Sequence, residues 1–366
     1  MSLITKKLTS DFWPSDVLDI IKKYLLCPKI IAAYGGYIKI WSFGKLEQKI
    51  GAHYSIDALV LSPNKKYIAS GGSSHVKITD YFTGGYEHLF QNEIEVKFLA
   101  WCPKSQYIAS ASSNSVFIWN VIDGAKSQSI LAYRRVGWEH YHPEKHNVHS
   151  ISWSPNGEQI VTSNLQETVK IFNVKTGICE KTFSHILSRI PFNLVLVKKN
   201  VEWSSNYTKI ASSIEGRNIG IWDTISDECV NILKHPSLVI TFSWSPNGTH
   251  IVSCCDNSCN CKYYYNCNYY CDNSCKNSCK IFVWNTVSGI CEMILNNSHK
   301  INSVVWSSDG KYIVSSTGTK VKFMDGVSRT GEKIEVWDAL SGELLHEIPA
   351  SYGCHFISVE QIFYKK

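Results

Sequence analysis

Short apolar-rich stretches recur along the chain, and each leads through an aromatic or β-branched residue to a small polar one. The stretch is written seven times, as IKIWS, VKITD, VFIWN, VKIFN, IGIWD, IFVWN and IEVWD. Short apolar runs of this kind are typical of buried β-strands. The copies are separated by roughly 40 to 60 residues, which is the spacing of a repeated supersecondary unit. The pattern therefore predicts a β-rich repeat protein.

A second pattern lies upstream of most copies of the first. An apolar strand ends at Trp or Leu, a Ser-Pro-Asn-Gly-like stretch follows, and another strand begins at once, as in WSPNGEQIVTS from Trp153 and WSPNGTHIVS from Trp244. Proline presets φ and Asn-Gly accepts positive φ, so this stretch predicts a tight turn. Each unit is thus expected to contain four strands, with tight first and third turns.

The two patterns together resemble the repeats of the WD-repeat β-propeller proteins, whose units end in Trp-Asp. Trp222-Asp223 and Trp337-Asp338 match this dipeptide fully, and four other copies keep an aromatic residue before a small polar one. The resemblance implies an all-β fold in which these positions are structural anchors. The anchors are Trp41, Asp80, Trp119, Phe172, Trp222, Asp223, Trp284, Trp337 and Asp338.

The resemblance also implies a histidine seven residues before the tryptophan of the second pattern. His146 and His299 have this spacing, whereas His53 and His235 are offset from it. The aspartate that relatives place in the turn between the second and third strands is largely missing. The polar network of the repeat is therefore expected to be incomplete.

The chain ends predict how the ring closes. Residues 29–50 lack the first strand of a unit, and an extra strand is predicted at residues 355–363. Pairing of the two would complete a seven-bladed propeller closed by the C-terminal strand, without exposed sheet edges. We expect residues 29–366 to form this propeller and residues 1–28 to be an N-terminal extension.

Within the extension, residues 14–26 have the spacing of a short amphipathic helix. Its apolar face would comprise Val17, Ile20, Ile21, Tyr24 and Leu25. The segment from Phe12 also faintly resembles the first helix of an F-box, which docks on ubiquitin-ligase cores. Two alternatives stay open, since the helix could dock on the propeller or could make the chain a substrate adaptor of a ubiquitin ligase.

Long insertions separate some of the strands, and they carry much of the positive charge. Segments 133–149, 184–200, 254–280 and 317–333 have net charges of +1, +3, +1 and +2, against +6 for the whole chain. The unit topology places all four at one face, and a basic face favours acidic partners. The candidate partner-binding residues are Arg134, Arg135, Trp138, Lys198, Lys199 and Arg329. Binding of RNA by this face is a second possibility.

The insertion at residues 254–280 is rich in cysteine and holds eight of the 14 cysteines of the chain. Thiolates can bind zinc or copper(I), but no Cys-x-x-Cys pair occurs here. The candidate ligands are Cys259, Cys261, Cys267, Cys271, Cys275 and Cys279. A low-complexity loop without metal is the favoured interpretation, and we expect no cofactor.

Composition narrows the function further. The chain has no apolar stretch long enough to cross a membrane and no signal-peptide pattern. Its many cysteines suggest a reducing compartment, so we expect an intracellular protein of the cytoplasm or nucleus. It contains no nucleophile elbow, phosphate-binding loop or kinase signature. The expected function is therefore a non-enzymatic interaction scaffold with protein partners.

Overall fold

The computed structural model describes most of the predicted repeat region. The described residues are 29–34, 36–42, 45–52, 56–93, 95–133, 147–164, 168–184, 200–214, 217–256, 279–297, 301–317, 332–350 and 354–360. They contain 28 strands and no helix. The predicted helix at residues 14–26 lies outside them, so it stays a prediction.

The strands form seven four-stranded antiparallel sheets. In chain order the strands of the first three sheets are β1 Lys29–Tyr34, β2 Tyr37–Ser42, β3 Lys45–Gly51; β4 Ala58–Leu61, β5 Tyr67–Gly72, β6 His75–Asp80, β7 Tyr86–Gln91; and β8 Phe98–Trp101, β9 Tyr107–Ser112, β10 Ser115–Asn120, β11 Lys126–Leu131. The next two sheets are β12 Ser150–Trp153, β13 Gln159–Ser163, β14 Thr168–Asn173, β15 Cys179–Ser184; and β16 Val201–Trp203, β17 Lys209–Ile214, β18 Asn218–Asp223, β19 Cys229–Lys234. The last are β20 Leu238–Trp244, β21 His250–Asp256, β22 Cys279–Asn285, β23 Cys291–Asn297; and β24 Ile301–Trp306, β25 Tyr312–Thr317, β26 Glu332–Asp338, β27 Leu344–Ala350.

The fourth strand of the first sheet comes from the other end of the described chain. Strand β28, Cys354–Glu360, pairs antiparallel with β1, and Lys29 lies opposite Glu360. The order of this sheet is β28-β1-β2-β3, so β28 takes the place that β4, β8 and the other first strands have in their own sheets. The strand was predicted at residues 355–363, close to its observed bounds.

The first strands of neighbouring sheets lie side by side. Strand β4 contacts β8, β8 contacts β12, and the series continues through β16, β20 and β24 to β28, which contacts β4 again. The fourth strands are the outer edges of the sheets. This arrangement is a β-propeller, and the prediction of an all-β propeller is confirmed.

The hydrophobic core lies between the faces of adjacent sheets. One cluster joins Val76, Ile78 and Phe90 of the second sheet to Leu99 and Trp119 of the third. Because the middle strands are covered on both faces, they are buried almost throughout, and the last five residues of β5 and of β9 are all buried.

The tight turns follow from the Ser-Pro-Asn-Gly stretches. The hydroxyl of Ser154 donates to Asn156 Oδ1 at 2.6 Å and accepts from the backbone N–H of Gln159 at 2.9 Å. Gly157 has φ +75°, a conformation that favours glycine. These bonds hold the first turn of the unit as a rigid hairpin.

The cysteine-rich insertion is shorter than the sequence suggested. Cys254 and Cys255 belong to strand β21 and are fully buried, and Cys279 is the first residue of β22. The connecting segment is therefore 257–278. The boundary was misjudged because a buried strand that ends in cysteines has the same composition as the loop that follows it.

Candidate functional site

The residues that end the repeat pattern stabilise the third turn of each unit. Asp338 Oδ1 accepts hydrogen bonds from the backbone N–H groups of Leu340 and Ser341, at 2.9 and 2.8 Å. These bonds lower the pKa of Asp338, because they favour the charged carboxylate. Equivalent pairs of bonds are made by Asp80, Asn173, Asp223 and Asn285. Asparagine serves as well as aspartate, since both offer the accepting oxygen.

The tryptophans of the pattern bind a serine on the neighbouring strand of the same sheet. Trp119 Nε1 donates to Ser110 Oγ at 2.9 Å, and Trp222 Nε1 donates to Ser212 Oγ at 2.8 Å. Trp337 makes the same bond to Ser315 at 3.1 Å. These buried pairs satisfy the indole N–H, which would otherwise be costly to bury.

His235 completes the corresponding network in the sheet of β20 to β23. Its Nδ1 lies 3.1 Å from the carbonyl of Leu233, which can only accept, so Nδ1 carries the proton. Its Nε2 then accepts from the hydroxyl of Ser253 at 2.7 Å and faces Trp284 Nε1 at 3.1 Å. Burial lowers the pKa of His235 to about 4, so the ring is neutral at pH 7.

The residue that bonds the buried serine lies at a different sequence position from the one that the family spacing implied. His235 precedes Trp244 by nine residues, and Asn92 and Asn297 precede their tryptophans by the same number. Asn92 Oδ1 accepts from Ser110 Oγ at 3.2 Å, in the role that His235 Nε2 has on Ser253. His146 and His299, which were predicted from a spacing of seven, lie outside the described residues. His235 was judged offset because only one spacing was considered.

Two sheets replace parts of this network. In the sheet of β12 to β15, the side chain of Phe172 has no N–H donor. The buried hydroxyl of Tyr133 lies 3.0 Å from Thr162 Oγ1 instead. Burial raises the pKa of Tyr133. In the last sheet the carboxylate of Glu335 is buried and accepts from Ser315 Oγ at 3.0 Å and from Asn297 Nδ2. Its burial raises the pKa of Glu335.

A further set of tryptophans links neighbouring sheets. Trp101 Nε1 donates to the carbonyl of Val60 at 3.2 Å, and Trp153 Nε1 donates to that of Ala100 at 2.9 Å. Trp244 Nε1 likewise donates to the Glu202 carbonyl at 3.2 Å. Each bond crosses from one first strand to the next, so these tryptophans hold adjacent sheets in register. The sequence pattern located the residues but did not reveal this role.

Sequence reasoning did not identify Glu202, whose carboxyl group is removed from water. It lies on β16, and its carboxylate accepts from the backbone N–H of Trp244 at 3.1 Å. Removal from water raises the pKa of Glu202 to about 8. Among the described residues, no cation forms an ion pair with it. The sequence carried no signal for this, because Glu202 is one polar residue in an otherwise ordinary strand.

The strand register fixes the face on which each connecting segment leaves the propeller. In the sheet of β12 to β15, Ser150 lies opposite Ser163, and Thr168 lies opposite Ser184. The start of the first strand, the loop between the second and third, and the end of the fourth are therefore at one end. This end is the insertion face, and the opposite end, with the first and third turns, is the turn face.

The two faces differ in charge. The four long connecting segments of the insertion face, residues 132–149, 185–200, 257–278 and 318–331, contain 11 basic and four acidic residues. The first and third turns between the strands hold five basic and six acidic residues. The excess positive charge of the chain thus lies in segments that leave the insertion face.

The side chains of the predicted partner-binding residues are not among those described. Arg134, Arg135, Trp138, Lys198, Lys199 and Arg329 all fall within the long segments, outside the described ranges. The same holds for Cys259, Cys261, Cys267, Cys271 and Cys275, and for the side chain of Cys279. Among the residues that are described, no group of three or more His, Cys, Asp or Glu could hold a metal ion. These assignments stay predictions.

A family model supports the interpretation of the repeats. The WD domain, G-beta repeat, matches residues 44–80, 86–120, 139–173, 227–261 and 289–325. The first three matches end at Asp80, Asn120 and Asn173, which are the residues that stabilise the third turns. The last two end within the long segments that follow β21 and β25. The chain is a WD-repeat protein with a β-propeller fold.

The curated relatives of the chain have low sequence identity to it. The chain is 24% identical over 263 residues to the WD repeat-containing protein WDS homolog of Arabidopsis thaliana, covering 70% of this chain and 40% of the relative. It is 25% identical over 142 residues to the transcriptional corepressor LEUNIG_HOMOLOG of the same plant, covering 39% and 16%. It is 19% identical over 125 residues to its THO complex subunit 3, covering 34% and 38%. The chain thus spans less than half the length of each relative.

No helix in the described part of the chain has the length and hydropathy that would let it cross a membrane.

Proposed function

We propose that this protein is a non-enzymatic interaction scaffold that binds an acidic partner protein through its insertion face. In this proposal the seven sheets are the blades of one ring, which β28 closes. The observation that carries it is the topology, which brings four long, positively charged segments to one end of the fold. Loops on a rigid framework are common binding elements.

The framework has the rigidity that such a surface needs. Bonds from Trp101, Trp153 and Trp244 join neighbouring first strands, and five of the sheets contain buried polar networks. The described part of the insertion face also contains charge pairs, since Lys97 lies 2.7 Å from Glu95 and 3.7 Å from Asp57. Its short loops are therefore closer to neutral than its long ones. The names of two relatives, a corepressor and a complex subunit, agree with a scaffold role.

Charge reversal on one face, matched by the same change on the other, tests the proposal. Arg134, Arg135, Lys198 and Lys199 would be changed to Glu in one variant. In the control, the four turn-face lysines Lys65, Lys104, Lys175 and Lys311 would be changed to Glu, so that both variants alter the net charge equally. Partner proteins would be recovered from the native cell with each variant and quantified by mass spectrometry.

We expect the insertion-face variant to recover about tenfold less of its partner, which corresponds to ~1.4 kcal/mol of binding free energy, and the control to recover nearly as much as the wild type. Equal recovery of the partner by the two variants would refute the assignment of partner binding to the insertion face. A third variant without residues 1–28 separates the adaptor alternative, because loss of ubiquitin-ligase core subunits on this deletion would support that function instead. Salt-sensitive binding of a labelled single-stranded RNA, weakened in the insertion-face variant, would support RNA as the ligand.

A further inference from the structure

The third turns of the units expose large apolar side chains at one repeated position. The residue two places after the anchor is Phe82, Ile122, Ile225, Val287 or Leu340, and each of these is between 72% and 91% exposed. The equivalent residue in the sheet of β12 to β15 is Lys175. The turn requires only the backbone N–H of the residue at this position, so the fold itself does not require an apolar side chain here. Isolated exposed apolar residues are ordinary, but this repetition places them all on the turn face.

The chain enters the propeller at this same face. Strand β1 begins at Lys29, opposite Glu360, and Ile30 lies opposite Trp41 near the end of β2. The ends of third strands such as β2 are where the third turns begin. The predicted helix at residues 14–26 is therefore joined to the turn face by only two residues, Cys27 and Pro28.

An apolar surface lies beside this entry point. Phe82 packs edge-on against Tyr81 with ring centroids 5.0 Å apart. Tyr81 is buried in the same cluster as Ile31 of β1, two residues from the start of the described chain. Leu46 and Tyr86, at the same end of the first and second sheets, are 51% and 58% exposed. We call Leu46, Phe82 and Tyr86 the entry patch.

We propose that residues 14–26 form a helix whose apolar face docks on the entry patch of the same chain. An amphipathic helix cannot bury its apolar face alone, and the entry patch is an apolar surface whose three side chains the described residues leave more than half exposed. The link from Leu26 to Lys29 spans at most about 10 Å, and a 13-residue helix is about 20 Å long. The helix thus starts next to the patch and is long enough to cross onto the second sheet. This inference concerns the turn face and does not depend on the proposed function of the insertion face.

Distant positions on the same face provide a matched control. Ile225 occupies the position of Phe82 in the sheet of β16 to β19, and Val230, on the outer strand of that sheet, is 48% exposed. At least two complete sheets separate it from the entry patch in either direction around the ring. A helix tethered at Lys29 would therefore not cover it.

Hydrogen exchange of the full-length protein, followed by mass spectrometry, tests the docking. The patch variant carries Phe82→Ser and Leu46→Ser, and the control carries Ile225→Ser and Val230→Ser. We expect amides of residues 14–26 in the wild type and control to exchange at least tenfold more slowly than in an unstructured peptide, and to lose at least fivefold of that protection in the patch variant. Unchanged exchange of β5 and β6 would show that the patch variant is folded.

The reverse variant gives an independent reading. Changing Ile20 and Ile21 to Ser should accelerate exchange of residues 81–86, since it would uncover the patch without altering it. Unprotected amides at residues 14–26 in the wild type, or equal protection in the patch and control variants, would overturn the proposal. Protection that rises with protein concentration would also overturn it, because it would assign the patch to a second copy of the chain. Protection that develops only when a partner protein is added would assign the helix to that partner.

Discussion

The buried His235 in the network of the β20 to β23 sheet should make the stability of the protein depend on pH. His235 is 7% exposed, its Nδ1 faces the Leu233 carbonyl, and its Nε2 accepts from Ser253. Protonation would place a charge on Nε2 in a site removed from water and would make Nε2 a donor to Ser253 Oγ, which reverses the bond on which the network depends. The substitution that isolates this effect is His235→Asn, because Asn92 occupies the equivalent position in another sheet and bonds the equivalent serine.

The size and sign of the effect follow from the pKa of His235. It is about 4 in the folded protein against an ordinary 6.5, so the unfolded chain binds more protons between these values. Stability is then fully present above pH 6.5 and is lost as the pH falls towards 4. At about 1.4 kcal/mol for each pKa unit, the whole loss is on the order of 3 kcal/mol. About 2 kcal/mol of it would be lost by pH 5.

Urea unfolding at a series of pH values from 7.5 to 5 measures this loss. Carboxylate titration destabilises both proteins alike, so the relevant quantity is the difference between wild type and His235→Asn. We expect the free energy of unfolding of the wild type to fall by about 2 kcal/mol more than that of the variant. Parallel pH profiles would refute the reasoning, since they would mean that His235 is protonated without disruption of its network.

Three other changes test the turns and the inner strands. Replacing Asp338 by Ala should cost about 1 kcal/mol, since two turn N–H groups lose their acceptor, whereas Asp338→Asn should cost much less; chemical denaturation compares them. Gly342→Ala should cost more than Gly310→Ala in the same assay: both have positive φ, at about 1–2 kcal/mol each, but only the Cβ at 342 would meet Met293 Sδ at 2.8 Å. Glu202, whose pKa is raised to about 8, binds a proton in the folded state that the unfolded chain has released, so its stabilising effect is present below pH 4.5 and lost as the pH rises through 8. Glu202→Gln should therefore raise Tm by about 3 °C or more at pH 9 and leave it nearly unchanged at pH 4. The same change in Tm at both pH values would contradict the assignment.

Much of the fold could be predicted because the repeat is written into short-range patterns. The apolar-rich strands and the Ser-Pro-Asn-Gly turns depend on local preferences, and an Asp or Asn such as Asp80 or Asn173 marks the start of a third turn. The strand bounds could be read well for the same reason. The end of β21 was misjudged, because Cys254 and Cys255 are apolar in a buried strand and look like part of a cysteine-rich loop.

The polar networks were harder to predict. The residue that reaches the buried serine follows the fourth strand directly, so its distance from the next tryptophan depends on the length of the loop between them. This distance is nine residues for Asn92 and His235, and Tyr133 takes over the task where a long insertion intervenes. The exposed position of Phe82 and its equivalents could not be recognised either, since an apolar residue near a strand end reads as part of the core.

Cross-linking of the recovered partner complex tests the scaffold function most directly. A lysine-reactive cross-linker, followed by mass spectrometry, reports which lysines lie beside the partner. The insertion face offers the lysines of its long segments, Lys145, Lys198, Lys199, Lys262, Lys276, Lys320 and Lys322, and the turn face offers Lys65, Lys66, Lys104, Lys175 and Lys311. We predict that partner cross-links form with the first group. Cross-links confined to the second group would place recognition on the turn face and contradict the account.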